Sequence, residues 1–266
     1  MTRTQAVRLL PWIATPVLII AILVGWELVV KVFNVNPLIF PPPSAVWDST
    51  LELIVQPATW QATGITVIET VAGFAIAVVL GVIVGVILGK IAWLEISLRP
   101  LIVISQVVPK VAFVPLFVIW FGFGMTSKIV LAALLAFFPV MLNVLLGVRS
   151  VERGQREVMT SLNASRLQTF SQLEMRSLLP YLFAGMEVAI VLATIGAIVG
   201  EYLGGNEGLG FYVVSAMNAL DSPRMFAVIG LLSVMGLVLY FIVNEAKRFV
   251  IPWHESVYGQ RVDVAA

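Results

Sequence analysis

The 266-residue chain has no cysteine, a single histidine, and charge on only 12% of its residues. The absence of cysteine excludes a disulfide framework, thiol catalysis and a zinc ribbon. One histidine, His254, cannot build a multi-histidine metal centre, and no metal or cofactor site is expected. Charged residues normally make up about 25% and apolar residues about 45–50% of a soluble chain. Here the apolar share is 60%, more than a soluble fold of this size can hide, so the solvent must be a bilayer. That excludes a cytosolic enzyme, a nucleic-acid binder and a disordered segment. The net charge of +1 acquires meaning only loop by loop.

A window of about 20 apolar residues, the length that crosses a bilayer, selects six spans. They lie near Pro11–Val32, Gly64–Gly89, Leu101–Phe121, Ile129–Val148, Tyr181–Leu203 and Phe226–Asn244. Arg3 and Arg8 imitate the start of a signal peptide, but the apolar run behind them is too long and no small-residue cleavage site follows. With the N-terminus inside, the cytoplasmic segments hold Arg3, Arg8, Lys90, Arg99, Arg149, Arg153, Arg156, Arg166, Arg176, Lys247, Arg248 and Arg261. The external loops hold only Arg224. Twelve basic residues against one fix the orientation by the positive-inside rule. The expectation is an all-α integral membrane protein with six transmembrane helices and cytoplasmic N- and C-termini. Trp12 and Trp253 fall at inner boundaries, Trp60 and Trp120 at outer ones, as interfacial anchors do.

The organisation follows from these spans. Residues 1–33 are an N-terminal segment and first span, and 34–63 an external loop that holds Pro41-Pro42-Pro43 and has room for a short amphipathic helix. Residues 64–250 form a five-helix core interrupted by a polar cytoplasmic loop at 149–180, and 251–266 a cytoplasmic tail. Gly73, Ala77, Gly81, Gly85 and Gly89 recur every fourth residue in the second span, and Gly185, Ala189, Ala193 and Ala197 in the fifth. Such small-residue ridges let helix backbones approach in lipid, either as tight packing within one subunit, or at an interface between subunits or as a ridge that slides during gating.

Two glycine-rich segments invite a nucleotide reading and fail it. Gly85–Ile91 places its first glycine one residue too close to the Gly-Lys pair for a P-loop, and isoleucine stands where Ser or Thr is needed. It reads as a helix end with a snorkelling lysine. Gly205–Gly210 lacks the G-x-G-x-x-G order and faces outward. This chain therefore has no ATP site of its own.

The cytoplasmic segment Glu157–Pro180 reads EVMTSLNASRLQTFSQLEMRSLLP. Val158 and Leu162, then Leu167, Phe170 and Leu173, recur at near-helical spacing. Asn163 tolerates the left-handed conformation and Ser165 suits an N-cap. The pattern predicts a helix, a turn over Asn163-Ala164-Ser165, and a second helix. Such a pair lies on the membrane surface or docks a soluble partner.

This segment resembles the signature loop of the permease subunits of binding-protein-dependent ABC importers. Glu157 falls on the glutamate of the E-A-A motif, Asn163 on its glycine, Ala164-Ser165-Arg166 on the frequent A-S-R, Leu173 on the later isoleucine, and Pro180 on the proline that opens the next span. Val158-Met159 replaces Ala-Ala, and Met175-Arg176 stands where Leu-Pro is usual. PPPSAVWDS (Pro41–Ser49), VPKVAFVPLFVIWFGFG (Val108–Gly124), FFPVMLNVLLGVRSV (Phe137–Val151) and EGLGFYVV (Glu207–Val214) resemble the nitrate/taurine/sulfonate-type branch, over roughly residues 35–250.

The resemblance implies a type I importer permease fold, an inner-membrane location, and no enzymatic activity in this chain. It implies as partners a dimer of ABC ATPase subunits that bind ATP and Mg, an external solute-binding protein, and a second permease copy in a homodimer. Membrane lipid surrounds the assembly and no nucleic acid is involved. Glu157, Asn163, Ala164, Ser165 and Arg166 become the ATPase-coupling residues, with the first helix of the loop as the coupling helix. The branch imports sulfonates, taurine, nitrate, carboxylates and thiamine-precursor pyrimidines.

Ionisable residues inside a bilayer are expensive and mark function by default. Lys110 lies about 15 Å past Pro100 and Glu187 about 11 Å past Pro180 along their helices. They are at comparable depth, so either they pair or Lys110 faces the translocation path and draws an anionic solute. Pro109 and Pro115 flank Lys110 and predict a kink. Glu201 sits near the external end of the fifth span, where an external gate would lie. Gln106 and Asn143 read as interhelical hydrogen-bonding residues, while Glu27 and Glu69 have no assigned role. The leading reading is passage of a small anion, with a pyrimidine or other neutral heterocycle as alternative. An ATP-independent secondary transporter also fits six spans but needs no coupling loop, and a membrane enzyme would need convergent catalytic groups.

Overall fold

The computed structural model describes residues 3–254, with side chains from residue 14 onward. The side chains of Arg3, Arg8 and Trp12, and the tail beyond His254 with Arg261, lie outside the described residues. Those residues form helices and turns without a strand. The helices are α1 (Arg3–Val32), α2 (Pro43–Ile54), α3 (Pro57–Lys90), α4 (Ala92–Val107), α5 (Val114–Phe121), α6 (Met125–Arg149), α7 (Arg153–Ser161), α8 (Arg166–Thr169), α9 (Met175–Gly204), α10 (Leu209–Asn218) and α11 (Ser222–Val250). A 3-10 turn, Lys110–Phe113, precedes α5, and a π turn, Phe170–Glu174, fuses α8 to α9.

Among the described residues, five helical stretches are long and apolar enough to cross a membrane: α1 from Ala14, α3, α6, the fused stretch Arg166–Gly204, and α11. The expected third span is not one helix over Leu101–Phe121. It begins as early as Ala92, breaks after Val107, and the two halves are bent by 81°. Pro109 disfavours helical geometry at Val108, which is extended with ψ of 127°. This bent pair nevertheless joins the two ends of α6. Glu95 near the start of α4 holds Arg149 at the end of α6, 3.3 Å away, and Phe121 leads through three residues into the start of α6. It is the sixth crossing, spanning the same distance as the 25 residues of α6, about 37 Å.

α6 is the central post. The α3 ridge lies on one side of it: Gly73 faces Ala132, Gly81 faces Val140, Gly85 faces Val144 and the Met141 carbonyl, and Gly89 faces Val148. The α9 ridge lies on another, with Gly185 against Pro139 and Asn143, and Gly196 against Ala132. Ala132, Ala136, Val140 and Val144 are wholly buried between them, in one cluster with Ala77, Ala189, Ala193 and Ala197. Of the two readings of the ridges, packing within the subunit is the one found.

The periphery is looser. α11 and α10 pack on α9, and α11 also meets α2. The expected short helix of the 34–63 loop is α2, with Pro43 at its first position, where the missing N–H removes no bond. α3 starts at Pro57, well before Gly64, and α10 is a further helix in the Gly204–Arg224 loop. α1 is attached chiefly through Glu27, which accepts from Ser44 N and Oγ at 3.0 and 2.9 Å at the head of α2, and through Trp26, whose ring meets Phe40 and Phe226.

The ridge makes a sharp contrast testable. A methyl at Gly85 would stand 2.7 Å from both the Met141 carbonyl oxygen and Val144 Cγ1, whereas a methyl at Gly64 meets nothing within 4 Å. Gly85→Ala should lower the melting temperature of the purified protein by several degrees. Gly64→Ala should hold or raise it, because alanine favours helix by about 1 kcal/mol. Equal effects at the two positions would contradict the packing.

Candidate functional site

The loop between α6 and α9 is built by local hydrogen bonding. α7 opens with a capping box in which Glu152 and Gln155 bond reciprocally to each other's backbone N–H. It ends at Ser161, and the chain turns at Asn163, whose φ is 53° and whose N–H donates to the Thr160 carbonyl at 2.9 Å. Ser165 then caps α8: its hydroxyl accepts from Gln168 N at 3.2 Å and its N–H donates to Gln168 Oε1 at 2.8 Å. Helix, turn and helix occur where the spacing predicts them. Pro180 does not open the next span, because the helix is already continuous from Arg166 and Pro180 lies inside α9.

No residue of α7 is buried. Glu157, Asn163, Ser165 and Arg166 are exposed, and Ala164 is half-buried. Val158, Leu162 and Leu167 are 58%, 71% and 75% exposed, so this part of the hairpin's apolar row is uncovered among the described residues. Beneath it, Glu174 takes Lys90 at 3.0 Å and Arg156 at 3.4 Å, and Lys90 Nζ also lies 5.2 Å from the centre of the Phe170 ring. Lys90 ends α3 as expected, but it reaches a carboxylate rather than snorkelling.

The break between α4 and α5 carries Lys110, expected to face a path or pair with Glu187, and Gln106 lies beside it. Gln106 is exposed and its amide reaches only the Ile102 carbonyl of its own helix, at 3.5 Å. Asn143 likewise donates to Pro139 one turn back, at 2.9 Å, so neither makes the expected bond between helices. Lys110 and Glu187 do not pair. Lys110 Nζ lies 4.8 Å above the Phe138 ring, while Glu187 accepts from Lys247 of α11 at 3.1 Å. Equal depth on two helices leaves their rotation unspecified, and Glu187 points towards α11.

A second cluster was not foreseen as one. Glu69 of α3, Lys128 of α6 and Glu201 of α9 are buried with exposures of 0, 2 and 0%. Lys128 Nζ lies 3.7 Å from Glu69 Oε1 and donates to the Phe123 carbonyl at 2.9 Å. Glu201 accepts from Thr66 Oγ1 and from Gly210 N, both at 2.6 Å, and Thr66 Oγ1 accepts in turn from Leu209 N at 2.9 Å. Glu201 thus ties the head of α10 to the spans. Gly208, with φ of 93°, and Gly210 leave no room for a Cβ beside that carboxyl group. The signal available in the sequence was the Gly-Leu-Gly run a few residues after Glu201, which a polar side chain can approach closely.

Six crossings, glycine-ridged packing and an uncovered helical hairpin define a polytopic membrane subunit. Residues 77–248 match the family described as binding-protein-dependent transport system inner membrane component, and the chain belongs to it. It is a multi-pass inner-membrane permease subunit of an ABC importer for small solutes, and its relatives are transport subunits rather than enzymes. It is 35% identical to the riboflavin transport system permease protein RibX of Chloroflexus aurantiacus, over 92% of each chain. It is 32% identical to the formylaminopyrimidine transport permease protein ThiX of Halalkalibacterium halodurans, over 88% of this chain and 93% of that one. The taurine transport system permease protein TauC of Escherichia coli is 30% identical over 89% and 88%.

Thr66→Val tests the buried cluster. It keeps the shape but strips the hydroxyl from both Glu201 and Leu209 N, and leaving such groups unsatisfied costs about 1–3 kcal/mol each. The expected result is faster amide exchange and proteolysis across 205–218 with the rest of the chain unaffected. Unchanged protection of that segment would show that α10 is held by other means.

Proposed function

We propose that this chain carries a small solute from an external binding protein to the cytoplasm, driven by a separate ATPase that seats the 157–170 loop. The observation that carries the proposal is the uncovered row Val158, Leu162 and Leu167 on a hairpin whose turn is held by Asn163 and Ser165. An exposed apolar row rimmed by charge on a membrane protein's polar loop fits a soluble protein partner. Glu157, Ala164 and Arg166 complete the contact. Both termini lie in the cytoplasm by the distribution of basic residues, and two copies of the chain form the pathway. ATP and Mg belong to the ATPase: its closure draws the two loops together, the spans turn to open outward, and hydrolysis reverses the motion.

For the solute, the identities of 35% and 32% to riboflavin and formylaminopyrimidine permeases support a nitrogen heterocycle. A second reading, a small anion, is favoured by Lys110. It makes no ion pair among the described residues and sits with Gln106 at a helix break, the kind of place where transporters bind solutes. Uptake of labelled riboflavin, formylaminopyrimidine, taurine and nitrate by cells expressing the chain with its chromosomal neighbours separates them. Heterocycle uptake that survives Lys110→Met supports the first reading, and anion uptake lost in Lys110→Met supports the second.

Asn163→Pro tests the coupling loop. Proline fixes φ near −65° where Asn163 has 53°, and it removes the N–H that bonds to Thr160. Solute uptake should fall to background while the chain remains in the membrane at normal level, and Asn163→Gly should transport normally. Full uptake by Asn163→Pro would refute the assignment.

A further inference from the structure

The coupling loop needs a connection to the spans it is to move, and packing supplies almost none, because α7 buries no residue. We infer that Glu174 is that connection, a positioning residue that passes displacement of α7 to the end of α3. The inference rests on the assignment of α7 as the ATPase-docking helix.

Glu174 is the last residue of the π turn at the head of α9, and its side chain is only 16% exposed. One carboxylate oxygen takes Arg156, in the middle of α7, at 3.4 Å, and the other takes Lys90, the final residue of α3, at 3.0 Å. Among the described residues, Arg156–Glu174 is the one ion pair that joins α7 to any other helix. The three groups thus link three elements through a single carboxylate.

What lies beyond Lys90 is rigid. Gly85 packs against the Met141 carbonyl and Gly89 against the Val148 side chain of α6, so α3 cannot shift at its end without disturbing the packed ridge. Glu95, which takes Arg99 at 2.7 Å and Arg149 at 3.3 Å, closes the neighbouring end of α4 on α6 in the same way but does not touch α7. A push on α7 therefore reaches α3 and α9 through Glu174, whereas α4 and α6 follow through helix packing. Sequence position conceals this node, since Glu174 falls between the two motif residues Leu173 and Met175.

The test uses the whole transporter, expressed with the ATPase and binding protein encoded beside it and reconstituted in liposomes. The readout is labelled riboflavin or taurine, whichever is taken up, imported per ATP hydrolysed. Glu174→Gln and Arg156→Met should each lower that ratio by about fivefold, at the low end of coupling between distant sites. They should leave the amount of co-purifying ATPase unchanged, and the double variant should be no worse than either single one. An unchanged ratio in both variants, or losses that multiply in the double variant, would overturn the inference. So would a Glu174→Gln chain that is merely lost from the membrane while Arg156→Met, on an exposed helix, couples fully. If no ATPase accompanies even the wild-type chain, the docking assignment itself fails and the role of Glu174 falls with it.

Discussion

Backbone contact between α6 and its two neighbours is the constraint on which the rest of this protein depends. In lipid, apolar side chains gain nothing by leaving solvent, so helices hold together only where they fit closely. Gly73, Gly81, Gly85 and Gly89 on α3, and Gly185 and Gly196 on α9, bring both helices against Ala132, Val140 and Val144 of α6. The three helices are thereby packed into one block. That block carries charged groups at either end, where it meets the hairpin on one side and α10 on the other.

The two ends are fastened differently. At one, Glu69, Lys128, Glu201 and Thr66 are sealed from solvent, where leaving a hydrogen-bonding partner unsatisfied costs about 1–3 kcal/mol. At the other, Glu174, Lys90 and Arg156 are partly exposed, where ion pairs contribute about 0.2–1 kcal/mol each. The α10 end is therefore held firmly and the hairpin end lightly, as suits a part that a partner protein displaces.

Hydropathy located the spans because crossing a bilayer demands length and little else, and the fourfold spacing of small residues located the ridges. Asn163 and Ser165 were legible because turn and cap chemistry is local. Depth, however, is only one of two helical coordinates. Lys110 and Glu187 share it, but their rotation sends one to Phe138 and the other to Lys247. The Glu69–Lys128–Glu201 set was illegible for the related reason that its members come from three helices far apart in sequence. Apolar length alone does not reveal the 81° break, since a broken pair and a straight span have the same composition; the prolines on either side of Lys110 do predict a kink there.

The π turn at Phe170–Glu174 has a consequence for descent. The N–H of Met175 bonds five residues back, to Phe170, so the segment holds one residue more than a regular helix would. Each residue turns an α-helix by about 100°. Lineages with and without that residue would present the hairpin on different sides of α9, or would have to re-pack the Gly185 face to compensate. A single insertion or deletion here is thus a change of phase between the hairpin and the span, and gaps at this point among related chains should coincide with altered charges at positions 90, 156 and 174.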